Sequence, residues 1–317
     1  MLVSVCMLAY NHEAYIQQAI DGVLMQQTNF EYELIISNDR SSDRTGQVIN
    51  EYVTNHPKGE RIKYFNQQKN LGMQCNFIFA LSECKGKYVA LCEGDDYWTD
   101  PLKLQKQVDY ISSHENCNLV FTDVQLLEEG ENKFTHNWAT ITGEIYEFKD
   151  LIERNVITTC TVLFRNPNSD EKLDNWLRPF EIGDYPLCLF LLRGGYAYYL
   201  NDITAVYRQH TGGVFSLKGI ENLIDKNVHV LETIAKKELT KRELFSVRKS
   251  LIKWYYTKAV RMSSDLNFHE IRPFIKMHLK WFDFSYNPTY FFKTIFLFLL
   301  PKFKAGVFEK PEMTLSN

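Results

Sequence analysis

Residues 1–125 alternate strand and helix signals, a pattern that specifies a mostly parallel sheet with helices as the crossovers. Residues 2–9 form the first β run, after which Ile16, Ile20, Val23 and Leu24 recur at helical spacing with Asn11 available as N-cap. "YELIIS" (32–37) is the second strand, and Ser41, Ser42 or Asp43 can cap a helix carrying Val48, Ile49, Tyr52 and Val53. "RIKYFN" (61–66) is the third, and the helix after Gly72 carries Phe77, Ile78, Leu81 and Cys84. "KYVALC" (87–92) is the fourth. Asp100-Pro101 then opens a helix as N-cap and first residue, with Leu104, Val108 and Ile111 on one face. "NLVFTDVQLL" (118–127) is a further strand.

The pattern then changes. "TTCTVLFR" (158–165) reads as a strand, residues 187–192 as an apolar helix, and "YAYYL" with "ITAVYRQ" as a strand pair. From residue 218 onward the sequence is helical, with no further strand–helix–strand signal. The expected division is an α/β domain over 1–216, itself parted near 125, and a helical region over 217–317. The N-terminus "MLVSVCMLAY" has no basic leader and reads as a first strand, not a signal peptide.

Charge narrows the function classes. A net charge of −3 excludes a dedicated nucleic-acid binder, which needs a strongly basic face. The seven cysteines form no C-x-x-C pair, so neither a disulfide framework nor a zinc knuckle is indicated. Cys6 and Cys92, inside strand runs, read as small buried hydrophobes of a reducing compartment.

In an open parallel sheet, ligands bind outside the carboxyl ends of the strands. Here those ends deliver Tyr10-Asn11-His12-Glu13, then Asn38-Asp39, then "LCEGDDYW" (91–98) with Glu93, Asp95 and Asp96 within four residues. Neither G-x-G-x-x-G nor G-x-x-x-x-G-K-[ST] occurs, so the common backbone cradles for phosphate are missing. Carboxylates that hold Mg²⁺ or Mn²⁺ can neutralise a phosphorylated ligand instead. Glu93 and Asp95 would share a face if the strand continued, with Asp96 starting the turn. The competing reading is that the three acids only cap a turn ahead of Tyr97-Trp98, whose rings either wall the ligand site or pack in the core.

Residues 1–216 resemble the family 2 glycosyltransferases, which have the GT-A fold. The resemblance rests on "VSVCMLAYNHEAYIQQAIDGVLMQ", "ELIISNDRSSDRT", "NLG" (70–72) and "EGDDYW", followed by "EIGDYPL" and "YRQHTGGVFS". It implies a GT-A type, Rossmann-like, mostly parallel sheet flanked by helices and followed by a helical C-terminal region. It implies an inverting enzyme that moves a sugar from a nucleotide-sugar, a UDP-sugar by expectation, to a hydroxyl of a glycan or lipid-linked acceptor. By the same resemblance Ala9, Tyr10, Asn11 and Glu13 border the nucleotide. Asp39 would accept from the N3–H of uracil, and Asn70 and Gly72 would lie against the nucleotide. Glu93 and Arg208 would meet the donor, Asp95, Asp96 and His210 would hold Mn²⁺ or Mg²⁺, and Asp184 would be the catalytic base. Each has a plainer alternative: a turn acid at Asp39, an ordinary turn at Asn70–Gly72, a helix N-cap at Asp184, a structural imidazole at His210. The chain departs from the family at Asn38-Asp39-Arg40-Ser41, where Asp-Asp-Gly-Ser is frequent. It departs again at Glu93, where the first Asp of Asp-x-Asp is expected, and at Gly183, where an acid often precedes the base.

Two other classes compete. A sugar-activating nucleotidyltransferase would want a Gly-rich, basic loop after the first strand, and Tyr10–Glu13 offers none. A catalytically silent binding module on the same fold is disfavoured by Asp39, the acidic cluster and Asp184 occurring together. In the last third, "YFFKTIFLFLLPKFK" (290–304) is apolar with lysines at its edges and too short to span a bilayer. It suits interfacial contact with anionic lipid, or burial against the core or a partner. The expected location is therefore cytoplasmic, peripheral at the inner face of the membrane, and a homo-oligomer is compatible with the sequence.

Overall fold

A computed structural model describes residues 1–136, 141–168, 171–213 and 219–263. In chain order the first elements are β1 (Val3–Ala9), α1 (Ile16–Leu24), β2 (Tyr32–Asn38), α2 (Thr45–Asn55), β3 (Ile62–Asn66), α3 (Met73–Glu83) and β4 (Tyr88–Leu91). There follow β5 (Tyr97–Trp98), α4 (Lys103–Ser113), β6 (Cys117–Glu128), β7 (Lys133–His136), β8 (Ile145–Tyr146), α5 (Phe148–Glu153) and β9 (Leu163–Arg165). The last are α6 (Glu171–Leu177), α7 (Asp184–Leu191), β10 (Tyr196–Gln209), α8 (Gly219–Ile234) and α9 (Lys241–Ser263).

The sheet runs β3-β2-β1-β4-β9-β6-β10-β5, with β7 paired to β6 and β8 to β10. β3, β2, β1 and β4 are parallel, with Cys6 of β1 opposite Ile35 and Leu91. Strands this apolar are what a parallel sheet covered on both faces requires, and β1 is buried along nearly its whole length and β2 along all of it. β9 is antiparallel to both β4 and β6, and β10 is parallel to β6. The carboxyl ends of β1, β2, β4, β6 and β10 therefore all reach one edge. On one face Ile16, Ile20 and Val23 of α1 are fully buried, each worth roughly 1.5–3 kcal/mol of apolar transfer. The architecture is the α/β, mostly parallel sheet that the alternation implied.

Four local expectations are corrected. "YAYYL" and "ITAVYRQ" are one strand, β10, not a pair. Its register on β6 shifts between Leu200 and Ile203, which absorbs polar Asn201-Asp202 as an irregularity without ending the pairing. Of 158–165 only Leu163–Arg165 is strand. Thr159–Thr161 is a 3₁₀ turn in which the Thr161 hydroxyl donates to the Thr158 carbonyl at 2.7 Å, a local bond that competes with extension. Asn11 does not cap α1. It takes a left-handed φ of 56°, turning the chain after β1, and its side-chain oxygen accepts the Ser42 N–H at 2.9 Å instead. β4 stops at Leu91, so Glu93 and Asp95 lie on a turn closed by Asp96 N–H to the Glu93 carbonyl at 3.1 Å, not on one strand face.

The chain divides into two compact units, one of Met1–Phe148 with Asn155–Gly212, the other of Lys149–Arg154 with Gly213–Asn317. In the second unit α8 and α9 bury Val228, Leu231 and Ile234 with Val247, Leu251 and Tyr255. Thr240 and Glu243 form a reciprocal capping box at the start of α9, with bonds of 2.7 and 3.2 Å. No helix among the described residues is long and apolar enough to cross a membrane. Residues 290–304 lie outside the described residues.

Candidate active site

The loops that leave β1 and β2 are knitted together. Asn11 N–H donates to the Ser41 hydroxyl (2.9 Å), His12 N–H to Thr45 Oγ1 (2.8 Å) and Glu13 N–H to the Asp43 carboxylate (3.0 Å). The Glu13 carboxylate accepts the Arg44 N–H at 2.9 Å, so its place is in this lattice. Ala9 is buried and Tyr10 projects, 49% exposed.

Asp39 is 4% exposed and uses both carboxylate oxygens, accepting Leu71 N–H at 2.6 Å and Gly72 N–H at 2.9 Å. Asn70 Nδ2 donates to the Asp39 carbonyl at 3.2 Å. Gly72 stands at φ 81°, a left-handed conformation open to glycine, and the carboxylate clamps the loop there. Asp39 is thus brought beside Asn70 and Gly72, 31 and 33 residues further along the sequence.

The acidic loop is the electrostatic centre. Asp95 Oδ2 is 3.2 Å from His210 Nε2 and 3.7 Å from His12 Nε2. Burial raises the Asp95 pKa, yet the His210 hydrogen bond and the two imidazoles outweigh it and hold the carboxyl below its ordinary value. Asp96 is pushed well up by burial and then by the Asp95 charge, and Glu93 by burial and then by Asp96, Asp95 and Asp184. Glu93 Oε2 is buried without a hydrogen-bond partner among the described residues. Asp96 is buried and Glu93 and Asp95 half-buried beside it, and a divalent cation is a group that would relieve the repulsion of three carboxyls so close together.

Asp95, Asp96 and His210 offer oxygen and imidazole donors that suit Mn²⁺ or Mg²⁺. No three His, Cys, Asp or Glu side chains among the described residues form a ready-made cage. A cation that bridges to phosphates needs only one or two protein ligands, so the donor set still fits.

Arg208 binds the loop through both backbone and side chain. Its N–H donates to Asp96 Oδ1 at 2.9 Å, Nη1 to the Asp95 carbonyl at 2.6 Å, and Nη2 to Gln18 Oε1. Its guanidinium lies 4.5 Å from the Tyr97 ring centroid and 5.2 Å from that of Tyr15. Tyr15 in turn packs 4.8 Å from His210 and donates to Glu129 at 2.6 Å. Trp98 belongs to the core: it is 2% exposed, and its Nε1 donates to the Cys160 carbonyl at 2.8 Å.

Asp184 is the first residue of α7 and Gly183 occupies the N-cap position, so the N-cap reading of Asp184 does not hold. Its Oδ2 accepts the Thr159 hydroxyl at 2.5 Å, and its charge is felt by Glu93.

Four residues at the site escaped the sequence reading as participants: His12, Tyr15, Gln18 and Thr159. His12 carried a signal, since an imidazole within the first strand-end cluster is a donor of the same class as His210. Its seat depends on Gly94, where a Cβ would lie 2.8 Å from His12 Nδ1 and 2.9 Å from the Leu8 carbonyl. Gln18 and Thr159 had no signal.

Residues 4–171 match the family model described as Glycosyl transferase family 2. An uncharacterized protein of Mycobacterium tuberculosis is 36% identical over 212 residues, which is 67% of this chain and 60% of the relative. The chain thus spans about 60% of that relative's length. The putative teichuronic acid biosynthesis glycosyltransferase TuaG of Bacillus subtilis is 30% identical over 222 residues, 68% of this chain and 82% of its own. Among solved structures, S. aureus TarS 1-349 in complex with UDP-GlcNAc superposes with a TM-score of 0.63 at 16% identity, covering 87% of this chain and 79% of that one. At that identity the likeness concerns the fold.

Proposed function

We propose, for a chain that belongs to glycosyltransferase family 2, that it transfers a sugar with inversion from a UDP-sugar to a hydroxyl of a glycan or lipid-linked acceptor, in cell-surface polysaccharide synthesis. One observation carries this reading. Asp39, the Asp95–His210 pair and Asp184 stand at the ends of β2, β4, β10 and the start of α7, with the acidic loop short of positive charge. The names of TuaG, which concerns teichuronic acid biosynthesis, and of the TarS complex with UDP-GlcNAc support the choice of product class and donor.

The residues would divide the work as follows. Asp39 accepts the uracil N3–H on lone pairs left over from the Leu71 and Gly72 amides, while Ala9, Tyr10, Asn11, Asn70 and Gly72 border the nucleotide. Glu13 supports that border through Arg44. Asp95 and His210, with Asp96 beside them, would hold Mn²⁺ or Mg²⁺, which when bound neutralises the diphosphate and eases its departure. Glu93 and Arg208 sit against this centre, Arg208 by holding the acidic loop. Asp184 takes the proton of the acceptor hydroxyl as its oxygen bonds to the anomeric carbon, and UDP leaves with the electron pair of the broken bond.

The test is release of UDP from a panel of UDP-sugars, with Mn²⁺ and with EDTA. Slow, cation-dependent hydrolysis of one donor is expected, and Asp184→Asn should keep UDP affinity while losing most turnover. Binding of UDP without any hydrolysis would leave the binding-module reading standing. Turnover of a sugar phosphate with UTP would favour the nucleotidyltransferase. The peripheral-membrane expectation for residues 290–304 is part of the same proposal. Flotation with anionic vesicles, comparing the full chain with one ending before Asn287, decides it, since equal flotation removes that role.

A further inference from the structure

We propose that Thr159 is a positioning residue for the reaction: its hydroxyl fixes the Asp184 carboxylate by one oxygen and leaves the other to take the acceptor proton. This rests on the reading of Asp184 as the base. The Thr159 bond to Oδ2, at 2.5 Å, is the only hydrogen bond the Asp184 side chain makes among the described residues. Gly183 holds the N-cap position of α7, so Asp184, the first helical residue, is not placed as its capping side chain. Its orientation must therefore be set from outside α7.

Thr159 is well placed to set it, because the turn that carries it is pinned on the far side. The Cys160 carbonyl accepts Trp98 Nε1 at 2.8 Å. The Thr161 carbonyl accepts Lys103 Nζ at 3.1 Å and Gln107 Nε2 at 2.8 Å. Trp98, Lys103 and Gln107 are themselves buried, so the turn is held by core residues of β5 and α4. A β-branched threonine adds a stiff χ1. Beside the pair lies a cavity of about 10 Å³ lined by Leu91, Asn155, Val162 and Cys188. It has room for one water at most. Positioning of this kind matters in proton transfer, where a misplaced base loses rate without losing ligand affinity.

The experiment uses the full chain and the UDP-sugar that the wild type hydrolyses. Thr159→Val keeps shape and removes the donor; Thr159→Ser keeps the donor. The Val variant should lose about 10- to 100-fold in turnover, the worth of one hydrogen bond to a charged group. Its UDP affinity should stay within about twofold and its melting temperature near wild type, and Ser should recover most of the rate. Combined with Asp184→Asn, Val should add little further loss, since the two act as one unit. Should Val not fold, Thr159→Ala carries the same expectations.

Wild-type turnover in the Val or Ala variant, with Asp184→Asn inactive, overturns the role of Thr159 alone. So does a Ser variant as slow as Val, or a parallel fall in UDP affinity. Full turnover in Asp184→Asn overturns the base assignment on which the proposal stands.

Discussion

Asp96 accepts the backbone N–H of Arg208 at 2.9 Å across 112 residues of sequence, and the Arg208 guanidinium answers with a 2.6 Å bond to the Asp95 carbonyl. The acidic loop is thereby latched to the end of β10. Asp96→Ala leaves a buried N–H without an acceptor and should cost roughly 1–3 kcal/mol. Asp96→Asn keeps a carbonyl oxygen there and should melt near wild type. Thermal denaturation of the pair separates the latch from any charge role, since only a charge role makes Asn lose cation-dependent UDP binding.

Gly94 should not tolerate a methyl group. The added Cβ would meet His12 Nδ1, Ile16 Cδ1 at 2.9 Å and the Leu8 carbonyl, and the last is backbone that cannot step aside. Gly94→Ala is expected to destabilise by about 1–3 kcal/mol, as overpacking does, and to displace His12 from Asp95. A melting curve and a UDP titration with Mn²⁺ check both effects; an unshifted midpoint refutes the crowding.

The Asp95–His210 pair predicts where cation dependence resides. Asp95→Asn and His210→Gln should each weaken UDP binding in the presence of Mn²⁺ by at least about tenfold and leave the residual affinity in EDTA unchanged. Calorimetric titration in both buffers measures this. Equal losses with and without the cation would place the two residues against the nucleotide instead.

Lys103 is fully buried, and burial lowers its ammonium to about 7. Its folded pKa lies below the unfolded one, so between about pH 7 and 10 the unfolded chain binds the extra proton and stability rises with pH. Below pH 7 both states carry it and the penalty, on the order of 5 kcal/mol, is fully present. Lys103→Met should flatten the difference in stability between pH 7 and pH 10, at the expense of the bonds to Gln107 Oε1 (2.7 Å) and the Thr161 carbonyl. Urea melts of both proteins across that range test it, and parallel pH curves would rule the buried lysine out as their source.

What could be read from the sequence was what local pattern determines. Continuous apolar runs gave β1, β2 and β4 because strands covered on both faces leave no room for polar alternation. Polar residues at their ends marked the loops that hold Asp39 and Asp95. What depends on close approach across the fold could not be read. The continuity of β10 past Asn201-Asp202 is decided by β6, and the Thr159–Asp184 bond by the core residues that pin the turn. The inclusion of Lys149–Arg154 in the second unit likewise leaves no local mark. Asn11 shows the opposite error, a good capping residue drawn by Ser42 into a loop-to-loop bond.

Because β10 brings Arg208 and His210 to loops formed within the first hundred residues, the site is assembled from the two extremes of the first unit. During synthesis the acidic loop emerges long before its latch, and its carboxyls wait without Arg208 or His210 to compensate them. Closing so long a chain segment is a slow, late step in folding. A nascent chain that ends before Gln209 contains Asp39 and the acidic loop but lacks His210, a partner of Asp95. On the proposed function, cation-dependent ligand affinity would report that the last strand of the first unit is in place.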